Sequence, residues 1–379
     1  MKILTVFGTR PEAIKMAPVV LGMQRDSAFK TVLCVTAQHR EMLDQVLDVF
    51  SIQPDFDLDL MIPGQSLYDL IDSILRGAGA VIRETRPDLV LVHGDTSTCF
   101  AAALAAFYEK TPIGHVEAGL RSGDLYAPFP EEANRSLVAR IAALHFAPTA
   151  SARANLINEN IAENKIVVTG NTVIDALFLA RDKVAQVPER EWMARLGSGV
   201  YQRVVSTKGR LILITGHRRE NFGQGFMDLC SAIKYLAQTH PDWEFVYPVH
   251  LNPNVQKPVH QILGGIENIS LMEPLEYLPF VWLMNNCDLI LTDSGGIQEE
   301  GPSLGKPVLV MREKTERPEA LVAGTVKLVG TNRESIISNV EDVLLNNNIY
   351  ETMSKAENPY GDGNAVARIL EFIKQQFLQ

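Results

Sequence analysis

Short apolar runs rich in Val, Ile and Leu alternate along this chain with longer stretches whose apolar residues recur every three or four positions. Residues 3–6, 31–35, 89–93, 113–116 and 166–169 read as strands. Between them, 38–50 carries Met42, Val46, Leu47 and Val49 near helical spacing, and 66–83 carries Leu67, Leu70, Ile71, Ile74 and Val81. Both predict amphipathic helices. A helical pattern runs from Asn171 toward Val187, a polar stretch covers 198–209, and the alternation restarts with strands at 211–215, 245–249, 269–271, 289–292 and 308–311. The turn-rich segment Asn358-Pro359-Tyr360-Gly361-Asp362-Gly363 then lets a closing helix over 364–377 cross back to the first half. Strands alternating with helices predict parallel, doubly wound sheets. The expected fold is α/β, with two Rossmann-like domains facing a cleft. One is 1–172 with helix 365–379 packed back on it, and the other is 173–364. Ligands of such sheets bind beyond the carboxyl ends of the strands, so the chemistry is sought there.

Charge and cysteine usage narrow the function classes. The 379 residues carry 35 Lys plus Arg against 45 Asp plus Glu, a formal net charge of −10, which disfavours a nucleic-acid partner. A hydrophobic fraction of 46% suits sizeable cores rather than disorder. Cys34, Cys99, Cys230 and Cys287 are too dispersed for a zinc knuckle or a disulfide framework, so a reducing, cytoplasmic setting is expected. Neither a signal-peptide pattern nor an apolar run near the ~18 residues of a membrane span is present. No Gly-x-Gly-x-x-Gly follows a predicted strand, and 301–307 is one residue short of a Walker A loop and ends in Pro. His39, His240, His250 and His260 lack metal-ligand spacing. Neither a nicotinamide cofactor nor a metal is expected.

The residues that follow the strands carry the candidate chemistry. Strand 3–6 runs into Gly8-Thr9-Arg10-Pro11-Glu12, with Lys15 one turn on. Two cations at a helix N-terminus suit a pyrophosphate, and an ordinary strand-to-helix turn has the same composition. Strand 89–93 delivers Asp95, which reads as a cleft carboxylate or as a helix N-cap. Strand 113–116 delivers Glu117, with no obvious helix behind it to cap. Glu131 opens the helical pattern that carries Arg135, a place where acidic residues commonly serve the helix dipole. Three carboxylates and a guanidinium near one rim suit acid/base chemistry.

In the second half, strand 211–215 exits into His217-Arg218-Arg219, which suits a diphosphate or a charged surface loop. Strand 289–292 exits into Asp293-Ser294-Gly295-Gly296, whose small residues open backbone N–H groups to a phosphate. Glu300, a turn further in, can accept from ribose hydroxyls. Arg317 follows strand 308–311. Asp57 and Asp59 read as a solvated strand face rather than a metal pair.

Taken in order, Gly8-Thr9-Arg10-Pro11-Glu12, His93-Gly94-Asp95-Thr96, His115-Val116-Glu117-Ala118-Gly119-Leu120-Arg121, Pro130-Glu131-Glu132, Asn134-Arg135, Thr215-Gly216-His217-Arg218-Arg219-Glu220-Asn221, Asp293-Ser294-Gly295-Gly296, Gln298-Glu299-Glu300 and Glu316-Arg317-Pro318-Glu319 resemble the bacterial non-hydrolysing UDP-N-acetylglucosamine 2-epimerases over essentially the whole chain. The resemblance implies a glycosyltransferase-B type fold and a homodimer. It also implies an isomerase of polysaccharide biosynthesis that interconverts UDP-N-acetylglucosamine and UDP-N-acetylmannosamine without a cofactor.

By the same resemblance Asp95, Glu117 and Glu131 are acid/base groups at the sugar, with His217 beside the diphosphate. Arg10, Lys15, Arg135, Ser294, Gly295, Gly296, Glu300 and Arg317 would bind the nucleotide, and Leu275 and Phe280 would lie near the uracil. Gln38, Gln65, Glu131, Arg218 and His250 match positions where some members hold a second substrate molecule as a regulator. Glu41 and Gly64 stand where regulated members often carry Gln and Arg. Two other enzyme readings share the fold, a hydrolysing 2-epimerase and a glycosyltransferase. A non-catalytic nucleotide-sugar sensor is the reading from another class, and three carboxylates near an anionic ligand argue against it.

Overall fold

The computed structural model describes residues 1–37, 40–60, 62 and 64–378. The chain divides into two compact units, Met1–Leu179 with Tyr360–Gln379, and Ala180–Pro359. In the first, β1 (Lys2–Phe7), β2 (Lys30–Val35), β3 (Phe56–Asp57), β4 (Leu89–His93), β5 (Ile113–Val116), β6 (Leu144–Ala147) and β7 (Ile166–Val168) form one parallel sheet in the order β3-β2-β1-β4-β5-β6-β7. In the second, β8 (Leu211–Thr215), β9 (Glu244–Pro248), β10 (Ile269–Met272), β11 (Leu289–Thr292), β12 (Val308–Val310) and β13 (Val326–Leu328) form another in the order β10-β9-β8-β11-β12-β13.

Helices cover both faces of these sheets, which is why β4 and β11 are apolar or buried throughout instead of alternating. Strand order reverses beside β1 in the first unit and beside β8 in the second. Each reversal opens a crevice at the carboxyl ends of the strands, and most of the candidate residues lie at those ends.

The division between units differs from the one expected at 172 and 364. Helix Thr172–Val184 starts in the first unit and the division falls within it. The reason is local: the carboxylate of Asp175 accepts the backbone N–H groups of Ala365 at 3.2 Å and Val366 at 3.0 Å. That ties the first turns of this helix to the start of the closing helix, Ala365–Phe377. The closing helix packs on helix Arg10–Arg25, where a side chain at Gly22 would collide with Val366, and Lys374 reaches Asp26 at 2.6 Å.

The polar stretch beginning at 198 takes up a regular structure of its own. It forms helix Ser198–Ser206, because Tyr201 and Val204, three positions apart, are buried, with Tyr201 stacked on Trp282 at 5.6 Å.

Candidate active site

On the first unit, three segments converge at the carboxyl ends of β4 and β5. Gly94 turns the chain out of β4 with φ 66°. Thr96, not Asp95, then caps helix Ser97–Tyr108 by accepting the Cys99 N–H at 3.0 Å. Asp95 is therefore no cap. Its Oδ2 accepts from Arg135 Nε at 2.8 Å and also contacts Arg135 Nη2, while Asn134 donates to its carbonyl at 2.8 Å. Two successive residues of helix Glu131–Ile141 thus clamp that helix to Asp95, with Glu131 half-buried in the helix's first turn.

Glu117 leaves β5 in left-handed backbone, φ 62°, at a cost of about 1–2 kcal/mol for a residue with a Cβ. Its side chain is grasped firmly. Oε2 pairs with Lys15 Nζ, accepts from Asn171 Nδ2 at 2.8 Å, and lies 3.8 Å from His93 Nε2. Burial pushes His93 down to about 4, so this ring is neutral near pH 7.

The turn after β1 departs from the pyrophosphate reading. Glu12 accepts the N–H groups of Gly8 at 3.0 Å and Thr9 at 2.8 Å, and Thr96 donates to its other oxygen at 2.5 Å. The backbone donors that an anion would need already serve a buried carboxylate, which burial raises above its usual range. Lys15 is engaged with Glu117, and Arg10 sits half-buried at the start of its helix.

On the second unit, the fully buried Asp293 organises the exits of β8 and β11. Its Oδ2 accepts the N–H groups of His217 and Arg218, both at 2.8 Å, and its Oδ1 lies 3.3 Å from His217 Nδ1. Burial would push this carboxyl up, but hydrogen bonds from His217 and the backbone of Arg218 outweigh it and hold the carboxyl below its usual range. A carboxylate at Nδ1 favours the tautomer whose Nε2 carries a lone pair. The His217 ring stacks on His250 at 5.4 Å, and both line one depression with Arg218 and Asn252.

Ser294, Gly295 and Gly296 precede helix Ile297–Ser303. A Cβ at Gly295 or Gly296 would come no closer than 3.8 Å or 4.0 Å to another group. Glu300 accepts from Tyr277 OH at 3.3 Å, which sets the helix flanked by Leu275 and containing Phe280 beside it. Arg317 pairs with the buried Glu299.

Gln65 accepts from the Ile62 N–H at 3.1 Å in the first unit, and Gln38 lies outside the described residues. Asp57 pairs with Arg40 at 2.6 Å. Sequence reasoning missed Asp293 and Asn171 as holders of candidate residues. It also missed Arg312, which binds Glu220 at 2.5 Å and Glu316 at 2.7 Å and pushes the Glu316 carboxyl down to about 2. Among the described residues no group of three or more His, Cys, Asp and Glu could hold a metal ion. No helix there is long and apolar enough to cross a membrane.

Two doubly wound units, one with carboxylates paired to cations and the other with an oriented histidine and an open glycine turn, define an α/β enzyme of the glycosyltransferase-B type. A family model described as UDP-N-acetylglucosamine 2-epimerase matches residues 22–374. The UDP-N-acetylglucosamine 2-epimerase of Escherichia coli (strain K12) is 58% identical over 374 residues, covering 99% of this chain and 98% of that protein. That of Yersinia pestis is 58% identical over 376 residues, with 99% and 98% covered. The crystal structure of the Neisseria meningitidis enzyme bound to UDP-GlcNAc is 51% identical with a TM-score of 0.88, covering 99% of this chain and all of that one. The chain belongs to the UDP-N-acetylglucosamine 2-epimerase family and is an isomerase.

Proposed function

We propose that this chain interconverts UDP-N-acetylglucosamine and UDP-N-acetylmannosamine by eliminating UDP and adding it back, through 2-acetamidoglucal. C2 of the sugar has no neighbouring carbonyl to acidify its proton, so direct deprotonation is unfavourable. Breaking the C1–O bond, with the electron pair leaving on UDP, builds oxocarbenium character at C1 and makes the C2 proton removable. The C1=C2 double bond that results takes a proton on its opposite face as UDP returns to C1. Acid/base groups are therefore needed on both faces of C2, each contributing about 10²–10⁴-fold.

The observation that carries this reading is the rim of the first unit. Asp95 and Glu117 both leave strand ends with a cation attached, and Glu131 stands one turn from the clamp on Asp95. The leaving UDP is assigned to the second unit's rim. There His217 serves the diphosphate, the Ser294, Gly295 and Gly296 turn and Arg317 the phosphates, Glu300 the ribose, and Leu275 and Phe280 the uracil. Solvent-exposed Leu67, Tyr68 and Phe129 border one apolar depression, which supports assembly as a homodimer.

Incubation with UDP-N-acetylglucosamine in deuterated water tests the mechanism. Product and recovered substrate should both gain deuterium at C2 without added nicotinamide or metal, and retention of the original hydrogen would sink it. Free N-acetylmannosamine as the product would favour the hydrolysing reaction instead.

A further inference from the structure

We propose that Asn171 is a positioning residue that sets the carboxylate of Glu117 for proton transfer and anchors it to the point where the chain re-enters the first unit. The inference rests on the reading that Glu117 acts on a substrate proton. Asn171 follows β7 and is buried. Its amide has two unlike ends, and the structure commits each of them. Oδ1 accepts the N–H of Val173 at 3.1 Å, at the start of helix Thr172–Val184, so the Nδ2 end must face Glu117 Oε2, to which it donates at 2.8 Å. The backbone N–H of Asn171 donates to the carbonyl of Tyr360 at 2.7 Å. Beside that bond a Cβ at Gly170 would lie 3.2 Å from Gly361 Cα, so the two chain segments lie in close contact.

This anchorage supplies what Glu117 lacks by itself. Its backbone is left-handed, and Lys15, on a flexible stem, neutralises charge without fixing direction. The short, doubly tethered amide of Asn171 fixes direction. Both donors meet Oε2, while Oε1 is turned toward Gly94, where an added Cβ would come within 3.7 Å of it, next to Asp95.

The titratable groups facing Glu117 come from several elements. Lys15 belongs to helix Arg10–Arg25, His93 to β4, Cys99 to helix Ser97–Tyr108 and His115 to its own strand. Arg135, on helix Glu131–Ile141, acts on the adjoining His93. Burial holds both imidazoles and the thiol neutral near pH 7.

The deciding variant is N171D. An Asp side chain still caps the Val173 N–H and keeps nearly the same shape, so N171D separates loss of the donor to Oε2 from loss of the cap. A positioning role predicts that the second carboxylate repels Oε2. Turnover should then fall about 10²-fold, the scale expected for a misplaced catalytic group, with KM nearly unchanged. The acidic limb of the kcat–pH profile should move upward by about one unit. N171A, which loses the cap as well, should lower both Tm and kcat. In an E117Q background, N171D should cost nothing further. Normal kcat and an unmoved profile in N171D would overturn the proposal, and so would a full additional loss in the double variant. Normal turnover in E117Q would instead overturn the role assigned to Glu117 itself.

Discussion

Glu117 and Asp293 are both buried carboxylates at the carboxyl ends of parallel sheets, one in each unit, yet they are held by opposite means. Glu117 accepts from side chains, Lys15 and Asn171, brought from two other elements. Asp293 accepts chiefly from consecutive backbone N–H groups of the loop it supports, at His217 and Arg218. Side-chain partners can exchange protons or let go as charge moves, so the first arrangement suits a group that reacts. Backbone partners fix a loop, so the second suits a group that presents another residue, His217. Asp95 follows the pattern of Glu117, with Arg135 as its cation.

The largest effects should separate these two kinds of carboxylate. Changing Asp95 to Asn, Glu117 to Gln or Glu131 to Gln should lower kcat by ~10²–10⁴-fold while UDP affinity, read by calorimetry, stays close to that of the unaltered chain. D293N should behave differently, weakening UDP binding and lowering stability by about 1–3 kcal/mol, because the N–H groups of His217 and Arg218 trade a charged acceptor for a neutral amide oxygen and an NH2 replaces the oxygen facing His217 Nδ1. If D293N kept its Tm while E117Q lost it, the two assignments would have to be exchanged.

Acid should divide the units as well. An unfolded histidine takes a proton as pH falls through about 6.5, whereas burial holds His93 and His115 neutral down to about 4 and His145 down to about 3. Below pH 6.5 the unfolded chain therefore binds more protons than the folded one, and stability falls with pH. For three such groups the loss is at most about 4 kcal/mol per pH unit. Glu12 and Asp175, raised by burial, take protons earlier in the folded state and offset part of that loss nearer their own range.

In the second unit, Asp293 and Glu316 are held low, so their contribution is present above the usual carboxylate range and is lost only as pH falls through their folded values, about 2 for Glu316. All three tryptophans, Trp192, Trp243 and Trp282, lie in the second unit. Far-UV circular dichroism should therefore begin to fall between about pH 6.5 and 5, ahead of tryptophan emission. Coincident transitions would mean that the histidines do not set the first unit's acid limit.

The contrast between the units was only partly legible in the sequence. Strands buried on both faces, Leu89–His93, Ile113–Val116, Leu211–Thr215 and Leu289–Thr292, are apolar runs between turn residues, and the pattern delimits them residue for residue. Phe56–Asp57 and Val326–Leu328 are too short for periodicity to register, and Leu144–Ala147 follows helix Glu131–Ile141 after only two alanines, so no turn residue separates the two. Residues at strand exits were found because the fold puts chemistry there.

Their pairings were hidden. Lys15, Arg135 and Arg317 read alike as nucleotide cations, yet each meets a carboxylate, at separations of 102, 40 and 18 residues. Asp293 stood at a strand exit as Asp95 does, and the rule that singled out one would have found the other. Nothing in the local pattern marked Asn171, whose role depends on a contact 54 residues away.

On the second unit's rim, E300A should weaken UDP about tenfold, the scale of one charge-assisted hydrogen bond, with kcat for bound substrate changed less. Unchanged affinity would move the ribose away from Glu300.

The smallest effect on UDP binding concerns glycine, which the two rims use for different reasons. Gly119, just past Glu117, has φ 89°, and a Cβ there would fall 2.2 Å from the Ala152 carbonyl oxygen, so the fold itself excludes a side chain. Gly296 has φ −63°, and its added Cβ would meet nothing nearer than Glu300 at 4.0 Å. Nothing in the unit's own packing calls for glycine at that position. If its purpose is to bare backbone N–H groups to a phosphate, G296A should leave Tm unchanged and weaken UDP roughly 2- to 10-fold, the net worth of about one hydrogen bond. G119A should instead lower Tm or prevent folding, with UDP affinity of the surviving fraction intact. Unaltered UDP affinity in G296A would show that the phosphates are gripped elsewhere, and attention would pass to the guanidinium of Arg218, whose Nη2 lies 3.8 Å from where a Cβ at Gly295 would stand.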